Sequence, residues 1–257
     1  MDIANKVAVI TGAASGLGRA TADAIVARGG KVMILDRDTD KAQAAVSELG
    51  DQAAYVDTDV TDPESVQNAI AATKEQFGAI HVCVNCAGVG SAMKTVGREN
   101  EPHDFGVFDK VVQINLMGTF NVLRLAAAEM AHNEGEDEDG ERGLIVNTAS
   151  VAAFDGQVGQ IAYAATKGGV VSMTLPIARD LSKLGIRCNT IAPGIFNTPL
   201  MNAAPDKVKE PLIQMTQFPK RLGHPDEYAQ LVCHMIENKF LNGETIRIDG
   251  GIRMQPK

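Results

Sequence analysis

Short runs of β-branched and other apolar residues recur along the chain and predict seven β-strands. Most of these runs are continuously apolar rather than alternating, which is typical of parallel strands that are covered on both faces. The predicted strands are residues 6–11, 31–35, 54–56, 80–84, 143–148, 186–191 and 244–248.

Helical periodicity fills the intervals between these strands. The third helix follows Asp62 and Pro63, an N-cap residue and a proline at the first helical position. A repeated strand–helix–strand pattern with right-handed crossovers predicts an α/β fold, a Rossmann-type doubly wound parallel sheet of about seven strands with helices on both faces. We expect one domain over residues 1–257. The predicted helices are residues 17–28, 40–49, 64–77, 104–132, 160–184 and 226–237.

Two segments interrupt this rhythm: a polar loop at 88–103 and a long connection at about 194–225. Connections of this length in a compact domain are usually functional. The second segment therefore has two interpretations, a lid of short helices that closes over an apolar ligand, or simple packing onto the body of the domain. Its apolar residues are Leu200, Met201, Leu212, Ile213, Met215 and Phe218.

The composition, 45% hydrophobic and 22% charged, is typical of a globular protein. A net charge of −8 argues against nucleic acid or an anionic membrane as the partner, because the mean field repels both. The acidic run at 134–141, which includes Asp137 and Glu141, predicts a solvated surface loop.

No run of about 18 apolar residues is evident, so no membrane span is predicted. The first strand begins near residue 6, which predicts a cytoplasmic location, or a mitochondrial one if a presequence has been removed.

Four cysteines include a C-x-x-C pair, Cys83 and Cys86. This spacing can indicate redox or metal chemistry. No second pair and no nearby set of histidines completes a zinc site, and both cysteines end an apolar run. We therefore interpret them as small buried hydrophobic residues in a reducing compartment, and we predict no metal.

A glycine-rich turn follows the first predicted strand and precedes a helix. Glycines in this context permit a tight turn and let backbone approach a phosphate, while the helix N-terminus offers free N–H groups to a pyrophosphate. The turn therefore predicts a dinucleotide site. The expected contacts are Gly12, Ser15, Gly16, Leu17 and Gly18.

Further candidates follow the next three strands. Asp36 ends the second strand, where a carboxylate accepts from ribose hydroxyls and repels a 2′-phosphate, so NAD is predicted over NADP. Ser15 is neutral, which fits NAD, whereas Arg37 could bind a phosphate and leaves NADP open; a purely structural capping role for Asp36 is the other alternative. Asp59 and Val60 are expected near the adenine. Asn85, Ala87 and Gly88 are expected at the cofactor after the fourth strand.

A tyrosine and a lysine at i and i+4 share one face of the fifth predicted helix. A tyrosine hydroxyl has a pKa of about 10, too high for a base at neutral pH. We expect Lys167 to lower the pKa of Tyr163 by favouring the phenolate, which would suit general acid–base catalysis. Ser150 ends the fifth strand, where its hydroxyl can hold a substrate oxygen. Asn115 is the fourth candidate.

Together these motifs resemble the short-chain dehydrogenase/reductase family along essentially the whole chain. The resemblance implies that Tyr163 is the acid/base, that Lys167 orients the nicotinamide ribose, that Ser150 positions the substrate and that Asn115 supports a water in a proton relay. It also implies that Tyr163 and Lys167 contact the cofactor. The segment expected to flank the nicotinamide supplies Pro193, Gly194, Ile195 and Thr198.

Three longer runs, at 142–160, 173–181 and 240–256, are similar to the branch of the family that acts on 3-hydroxyacyl-CoA and hydroxysteroids. This implies NAD-dependent interconversion of (S)-3-hydroxyacyl-CoA and 3-oxoacyl-CoA, an acyl-CoA or steroid-like substrate held by Ser150, Gln157, Gln160 and Tyr163, and a homotetramer. A hydroxysteroid dehydrogenase or a 3-oxoacyl carrier-protein reductase is the alternative; the latter should prefer NADPH. A nucleotide-binding scaffold would be expected to lack the tyrosine or the lysine.

Overall fold

The computed structural model describes residues 1–136, 138–202 and 205–256, with the side chains of Leu200 and Val208 outside the description. Within these ranges seven parallel strands form one sheet in the order β3-β2-β1-β4-β5-β6-β7, which confirms the predicted fold class. The strands are β1 Val7–Thr11, β2 Lys31–Asp36, β3 Ala53–Asp57, β4 Val82–Asn85, β5 Gly143–Thr148, β6 Ile186–Pro193 and β7 Thr245–Ile248.

Helices cover both faces of the sheet. Asp62 caps α3 by accepting from the amide of Glu64, with Pro63 in the first turn, as the sequence predicted. The helices are α1 Gly16–Val26, α2 Thr39–Leu49, α3 Pro63–Phe77, α4 Phe105–Val112, α5 Thr119–Met130, α6 Ile161–Leu181, α7 Pro199–Asn202, α8 Asp206–Met215 and α9 Pro225–Glu237.

The sheet reverses its winding at β1, which pairs with β2 on one side and β4 on the other. Thr11, the last residue of β1, is in register with Leu35 and with Asn85. In open α/β sheets the crevice at such a switch point, beyond the carboxyl ends of the strands, is where ligands bind. The fold therefore places the glycine turn, Asp36 and the end of β4 at one edge.

The strand side chains supply two hydrophobic layers, one on each face. Ile10, Ile34 and Val84 belong to the layer shared with α1 and α9. Val9 and Ile145 belong to the layer covered by α3 and α5. Successive residues of one strand enter opposite layers because side chains alternate across a strand. Both layers consist of buried hydrophobic residues, which explains why the strands are continuously apolar.

The predicted long helix at 104–132 is interrupted. Residues Gln113–Gly118 form a π-helical turn between α4 and α5. Asn115 lies in this turn, where its amide is committed to the backbone of Val89. Gly118 passes so close to Val60 that an added Cβ would lie 2.6 Å from its Cγ2. Turns of this type are frequent at functional sites, and apolar periodicity does not reveal them.

The helical residues Phe105–Met130 contain an 18-residue window with a mean hydropathy of 1.2, which by length and composition alone is enough to cross a membrane. The helix passes on average hydropathy and not as a continuous apolar run, since Asp109, Lys110, Asn121 and Arg124 interrupt it, so the absence of a membrane span stays a prediction. Half of the apolar window is buried inside the fold, and Val122, Ala126 and Met130 pack in the core. Core helices of globular domains pass the same length and hydropathy test.

The acidic run is not wholly a solvated loop. Glu141 is buried, and its carboxylate accepts from Arg187 Nε at 2.8 Å and pairs with Nη2 at 2.7 Å. The prediction was wrong for this residue because the partner lies 46 positions away, on β6. Glu136 is half-buried and pairs with Lys6, and Asp137 lies outside the described residues.

All four cysteines are free thiols, and Cys83, Cys188 and Cys233 are buried. Burial raises the pKa of Cys188 to about 12 and raises that of Cys83 as well. A thiol held protonated in this way is a poor nucleophile and a poor metal ligand. The interpretation of the C-x-x-C pair as small buried hydrophobic residues is confirmed for Cys83, whereas Cys86 is only partly buried and lines a cleft.

Candidate active site

The turn between β1 and α1 needs glycine for two separate reasons. Gly12 has a φ of +65°, and a Cβ there would lie 2.9 Å from the amide nitrogen of Ala87. At Gly18 a Cβ would lie 2.6 Å from the carbonyl oxygen of Gly12. Gly12 thus adopts a left-handed backbone conformation, and both glycines lie too close to neighbouring backbone to carry a side chain. It leaves backbone exposed to a cleft at the N-terminus of α1, the geometry that favours a pyrophosphate.

Thr11 fixes the other side of this turn. Its hydroxyl oxygen accepts from the amides of Cys86 and Ala87 at 3.1 and 3.0 Å. The bonds tie the end of β1 to the loop after β4, the two strands that flank the switch point. Thr11 was not singled out from the sequence. Its position in the sequence, a hydroxyl residue at the end of a strand directly before a glycine turn, could have indicated this bridging role.

A cleft of about 380 Å³ opens in front of the turn. Its shape and backbone lining fit a dinucleotide, because side chains at Gly12 or Gly18 would fill the turn. Most of the predicted cofactor residues line this cleft. They are Gly12, Ser15, Gly16, Leu17, Gly18, Asp36, Asp59, Val60, Ala87, Gly88 and Thr198.

The Asp36 carboxylate faces this cleft and also holds its wall. One oxygen accepts from the amide of Ala14 at 2.9 Å, and the other accepts from the amide of Asp38 at 3.0 Å. A carboxylate has about four acceptor sites, so capacity remains for ribose hydroxyls. The capping alternative and the binding role are therefore compatible in one side chain.

Arg37 is turned toward Asp59 across the mouth of the cleft, with Nη1 3.5 Å from the carboxylate. Hydrogen bonds from Thr61, with the Arg37 charge, hold the pKa of Asp59 below its usual value. Asp59 is therefore anionic at neutral pH. The guanidinium is thus paired with Asp59 at the mouth of the cleft.

Asn85 does not line either cleft. Its amide nitrogen donates to Asn147 Oδ1 at 2.9 Å, inside the sheet between β4 and β5. The side chain of Asn85 is thus used inside the sheet, and the prediction that this residue lies at the cofactor stays a prediction. In a β-strand neighbouring side chains alternate faces, and this one points along the buried sheet rather than beyond its edge.

A second cleft, of about 320 Å³, adjoins the first. Leu17, Cys86, Gly88, Val89 and Thr198 line both, so the two clefts are continuous. The structure brings most of the remaining predicted residues to this second cleft. They are Ser150, Gln157, Gln160, Tyr163, Lys167, Pro193, Gly194 and Ile195.

Tyr163 and Ser150 form the polar end of the second cleft. A hydrogen bond from Ser150 lowers the pKa of Tyr163, but desolvation is larger and raises it above its usual value. The expectation that Lys167 lowers this pKa was wrong for this structure. Lys167 Nζ lies 5.8 Å from the centroid of the tyrosine ring and donates to the backbone carbonyl of Thr148 at 2.7 Å. Tyr163 is therefore a neutral hydroxyl that can donate a proton.

Burial disfavours the charged form of Lys167, as it does that of Tyr163. It lowers the lysine pKa to about 8. The carbonyl that receives the ammonium belongs to Thr148, whose hydroxyl lies 2.7 Å from the hydroxyl of buried Tyr228 on α9. Tyr228 in turn contacts Phe196 edge to face, with ring centroids 6.5 Å apart. The lysine is thus positioned by a network that the local sequence did not indicate.

Asn115 is fully buried and lines neither cleft. Its amide oxygen accepts from the amide of Val89 at 2.8 Å, and its amide nitrogen donates to the carbonyl of Val89 at 2.9 Å. It also donates to Thr166 Oγ1 at 3.3 Å. The residue therefore positions the loop after β4 between the two clefts, and its part in a proton relay stays a prediction.

The predicted lid contributes to the second cleft. Segment 194–225 contains the short helices α7 and α8, and Met201 and Leu212 from these helices line the cleft. Phe218 is 82% exposed and does not. Two further apolar lining residues, Phe196 and Met254, were not singled out from the sequence. Each lies within a run that carried the family resemblance, but the resemblance gave neither of them a role.

Comparison with known proteins agrees with this geometry. A family model described as short chain dehydrogenase matches residues 6–209. A human protein named 3-hydroxyacyl-CoA dehydrogenase type-2 is 54% identical over 256 residues, covering 99% of this chain and 98% of the human one. A crystal structure of 3-hydroxyacyl-CoA dehydrogenase type-2 from Mycobacterium avium superposes with a TM-score of 0.94 at 42% identity, covering 98% of each chain.

A more distant structure, 3-ketoacyl-(acyl-carrier-protein) reductase from Brucella melitensis complexed with NADH, has a TM-score of 0.87 at 30% identity. It covers 98% of this chain and 100% of that one. The glycine turn, the continuous clefts and the Ser150–Tyr163–Lys167 arrangement thus stand in a chain whose full length is shared with these relatives. The chain belongs to the short-chain dehydrogenase family, and it is an oxidoreductase that uses a nicotinamide cofactor.

Proposed function

We propose that this protein interconverts (S)-3-hydroxyacyl-CoA and 3-oxoacyl-CoA with NAD(H). The reaction type rests on one observation: Tyr163 and Ser150 face a cleft that is continuous with the nucleotide cleft. The substrate class is supported by full-length similarity to proteins named 3-hydroxyacyl-CoA dehydrogenase type-2. The largely apolar lining of the second cleft suits an acyl chain.

The side chains divide the work at the reacting carbon. When bound, the nicotinamide supplies or accepts the hydride. Ser150 donates a hydrogen bond to the substrate oxygen and holds it near the tyrosine. Tyr163, which is neutral at pH 7 because desolvation raises its pKa, delivers the proton to that oxygen in the direction of ketone reduction. Lys167 orients the ribose while Thr148 fixes its ammonium.

NAD is the proposed dinucleotide. Asp36 presents a carboxylate where a 2′-phosphate would lie, so NADP would meet an unfavourable charge. Arg37, the residue that could offset this charge, is already paired with Asp59. Removing it from Asp59 would leave that carboxylate alone at the mouth of the cleft. The pair is exposed and therefore weak, so the proposal of NAD rests on Asp36.

Two alternatives within the family are less well supported. A carrier-protein reductase would gain from a basic docking surface, and the net charge of −8 does not favour one. A hydroxysteroid fits an apolar cleft as well as an acyl chain does. We keep the steroid as a possible second substrate of the same site rather than as a different function.

The assembly and the location are further proposals. We infer a homotetramer from the resemblance to the branch that acts on 3-hydroxyacyl-CoA, and light scattering on a sizing column would measure it. A monomer at micromolar concentration would contradict this. The cytoplasmic location, with the mitochondrial one as its alternative, is tested by fractionation of cells that express the full-length chain.

The substrate proposal is tested by initial rates of NADH oxidation with three carbonyl compounds: acetoacetyl-CoA, the same acyl group on a carrier protein, and a ketosteroid. We expect acetoacetyl-CoA to have the highest kcat/KM. Activity on the carrier-protein thioester at a tenfold or greater advantage over acetoacetyl-CoA would overturn the substrate class but leave the role of Tyr163 intact.

A further inference from the structure

The segment at residues 252–256, hereafter the strap, folds back from β7 onto the substrate cleft. It begins at Ile252, which is fully buried and whose carbonyl accepts from Arg247 Nη2 at 3.0 Å. Two residues later, Met254 lines the cleft that contains Ser150 and Tyr163. The strap is therefore anchored in the core at one end and contributes a side chain to the site.

The far end of the strap is tied to the turn that precedes α6. Val158 donates from its amide to the carbonyl of Pro256 at 3.0 Å, and the Gln157 side chain donates to the carbonyl of Gln255 at 2.9 Å. The turn is also joined to β7, because Arg247 donates to Asp155 at 2.8 Å. Met254 is thus held between two anchors on either side of it.

These anchors fix Met254 relative to the reacting centre. The turn at 155–160 leads directly into α6, which begins at Ile161 and carries Tyr163 two residues later. The position of Met254 is therefore fixed relative to that helix. Met201 and Leu212, by contrast, reach the same cleft from the lid. The apolar wall of the cleft thus draws on two segments, and the part supplied by the strap is bonded to the turn that precedes the catalytic helix.

We propose that Met254 is the residue of this wall that limits the length of the acyl chain. The inference rests on the proposed function and deepens it. A 3-oxoacyl thioester held at its ketone oxygen by Ser150 and Tyr163 extends in two directions, an alkyl tail and a polar arm that ends in charged phosphates. The charged arm requires solvent, and an apolar wall of Met254, Phe196 and the lid suits the alkyl tail. The unbranched thioether side chain of Met254 then sets the space left for that tail.

The test compares kcat/KM for 3-oxodecanoyl-CoA and for acetoacetyl-CoA in variants of position 254. Met254→Ala is expected to raise the long-to-short ratio about tenfold, and Met254→Phe to lower it, because a methylene or two in an apolar pocket changes discrimination by that order. Met254→Leu, which nearly conserves volume, should keep the wild-type ratio. Gln255→Ala is the matched control on the same strap, since Gln255 bonds to Gln157 only through its backbone carbonyl.

Each outcome decides the proposal. An unchanged ratio in both Met254→Ala and Met254→Phe, or an equal change in KM for both substrates, would show that Met254 contacts no tail and would overturn it. The same shift in Gln255→Ala would assign the effect to the strap as a whole and would also overturn it. If the wild type does not reduce acetoacetyl-CoA, the proposed function fails separately, and the ratio is measured on straight-chain secondary alcohols of increasing length instead.

Discussion

The Asp36 carboxylate accepts a hydrogen bond from the backbone amide of Ala14 at 2.9 Å. The side chain proposed to select the dinucleotide therefore also holds the turn that binds its phosphates. Its second oxygen accepts from the amide of Asp38. Cofactor choice and the shape of the turn are coupled through one carboxylate, and a substitution there acts on both.

Asp36→Ala and Asp36→Asn separate these two roles. Both remove the negative charge, so both should lower the ratio of kcat/KM for NADH over NADPH by about tenfold or more. Asp36→Ala should also lose about 1–3 kcal/mol of unfolding free energy, because it leaves two amides without an acceptor. Asp36→Asn keeps one acceptor oxygen and should lose less. An unchanged NADH preference in both variants would show that another residue selects the cofactor.

Tyr163→Phe removes the hydroxyl at the reacting centre and keeps the ring. We expect kcat to fall by about 10²–10⁴-fold, the usual contribution of a positioned acid or base. Ser150→Ala should cause a smaller loss, because it removes an orienting hydrogen bond and not the proton donor. Steady-state kinetics with unchanged circular dichroism measures both. A Tyr163→Phe variant that retains a tenth of wild-type kcat would exclude the tyrosine as the main acid.

Lys167 should make stability depend on pH in a defined window. Its folded pKa is about 8 and its usual value is 10.5, so between these values the unfolded chain binds the proton that the folded chain has lost. Unfolding free energy from this group therefore rises as the pH increases from about 8 to about 10.5. The full change is about 3 kcal/mol.

Lys167→Met provides the reference, because raised thiol and tyrosine pKa values act in the opposite direction above pH 9 in both proteins. In denaturant unfolding from pH 7 to 10, the unfolding free energy of the wild type should increase relative to that of the variant as the pH rises. Parallel stability curves for the two proteins would mean that Lys167 is not destabilised by its burial.

Arg187 should be a main determinant of stability. Besides Glu141, its guanidinium donates to the carbonyls of Met235, Ile236 and Leu241, which end α9 and follow it. Arg187→Leu leaves these carbonyls unpaired and leaves the buried Glu141 carboxylate with the Met1 ammonium as its remaining charged partner. We expect a loss of about 3 kcal/mol or more in chemical denaturation. Glu129→Gln, which breaks the more exposed pair with Lys74, is the control and should cost about 1 kcal/mol or less. Equal losses would contradict this account.

The features that could be predicted from the sequence are those determined by residues close together in the chain. The Asp62–Pro63 start of α3, the glycine turn and the positions of Ser150 and Tyr163 each follow from local spacing, and the structure places them as expected. Strand ends were off by one or two residues, as at β6, which continues to Pro193. Pairing with β7 extends it, and the local pattern of residues 186–191 does not contain that information.

The parts that were missed depend on contacts between distant residues. Glu141 is buried because Arg187 meets it from another strand, and Met254 enters the cleft because the strap is bonded to residues nearly a hundred positions earlier. The direction of the Tyr163 pKa is a further case. The i, i+4 spacing correctly places Lys167 nearby, but the balance between its charge and desolvation depends on where the Thr148 carbonyl holds the ammonium.

The central claim, an NAD(H)-dependent oxidoreductase of 3-oxoacyl-CoA, is tested most directly by initial rates at saturating acetoacetyl-CoA with NADH and with NADPH. The account predicts rapid turnover with NADH and a kcat/KM at least about tenfold lower with NADPH, because the Asp36 carboxylate repels the 2′-phosphate. Faster turnover with NADPH than with NADH would contradict it.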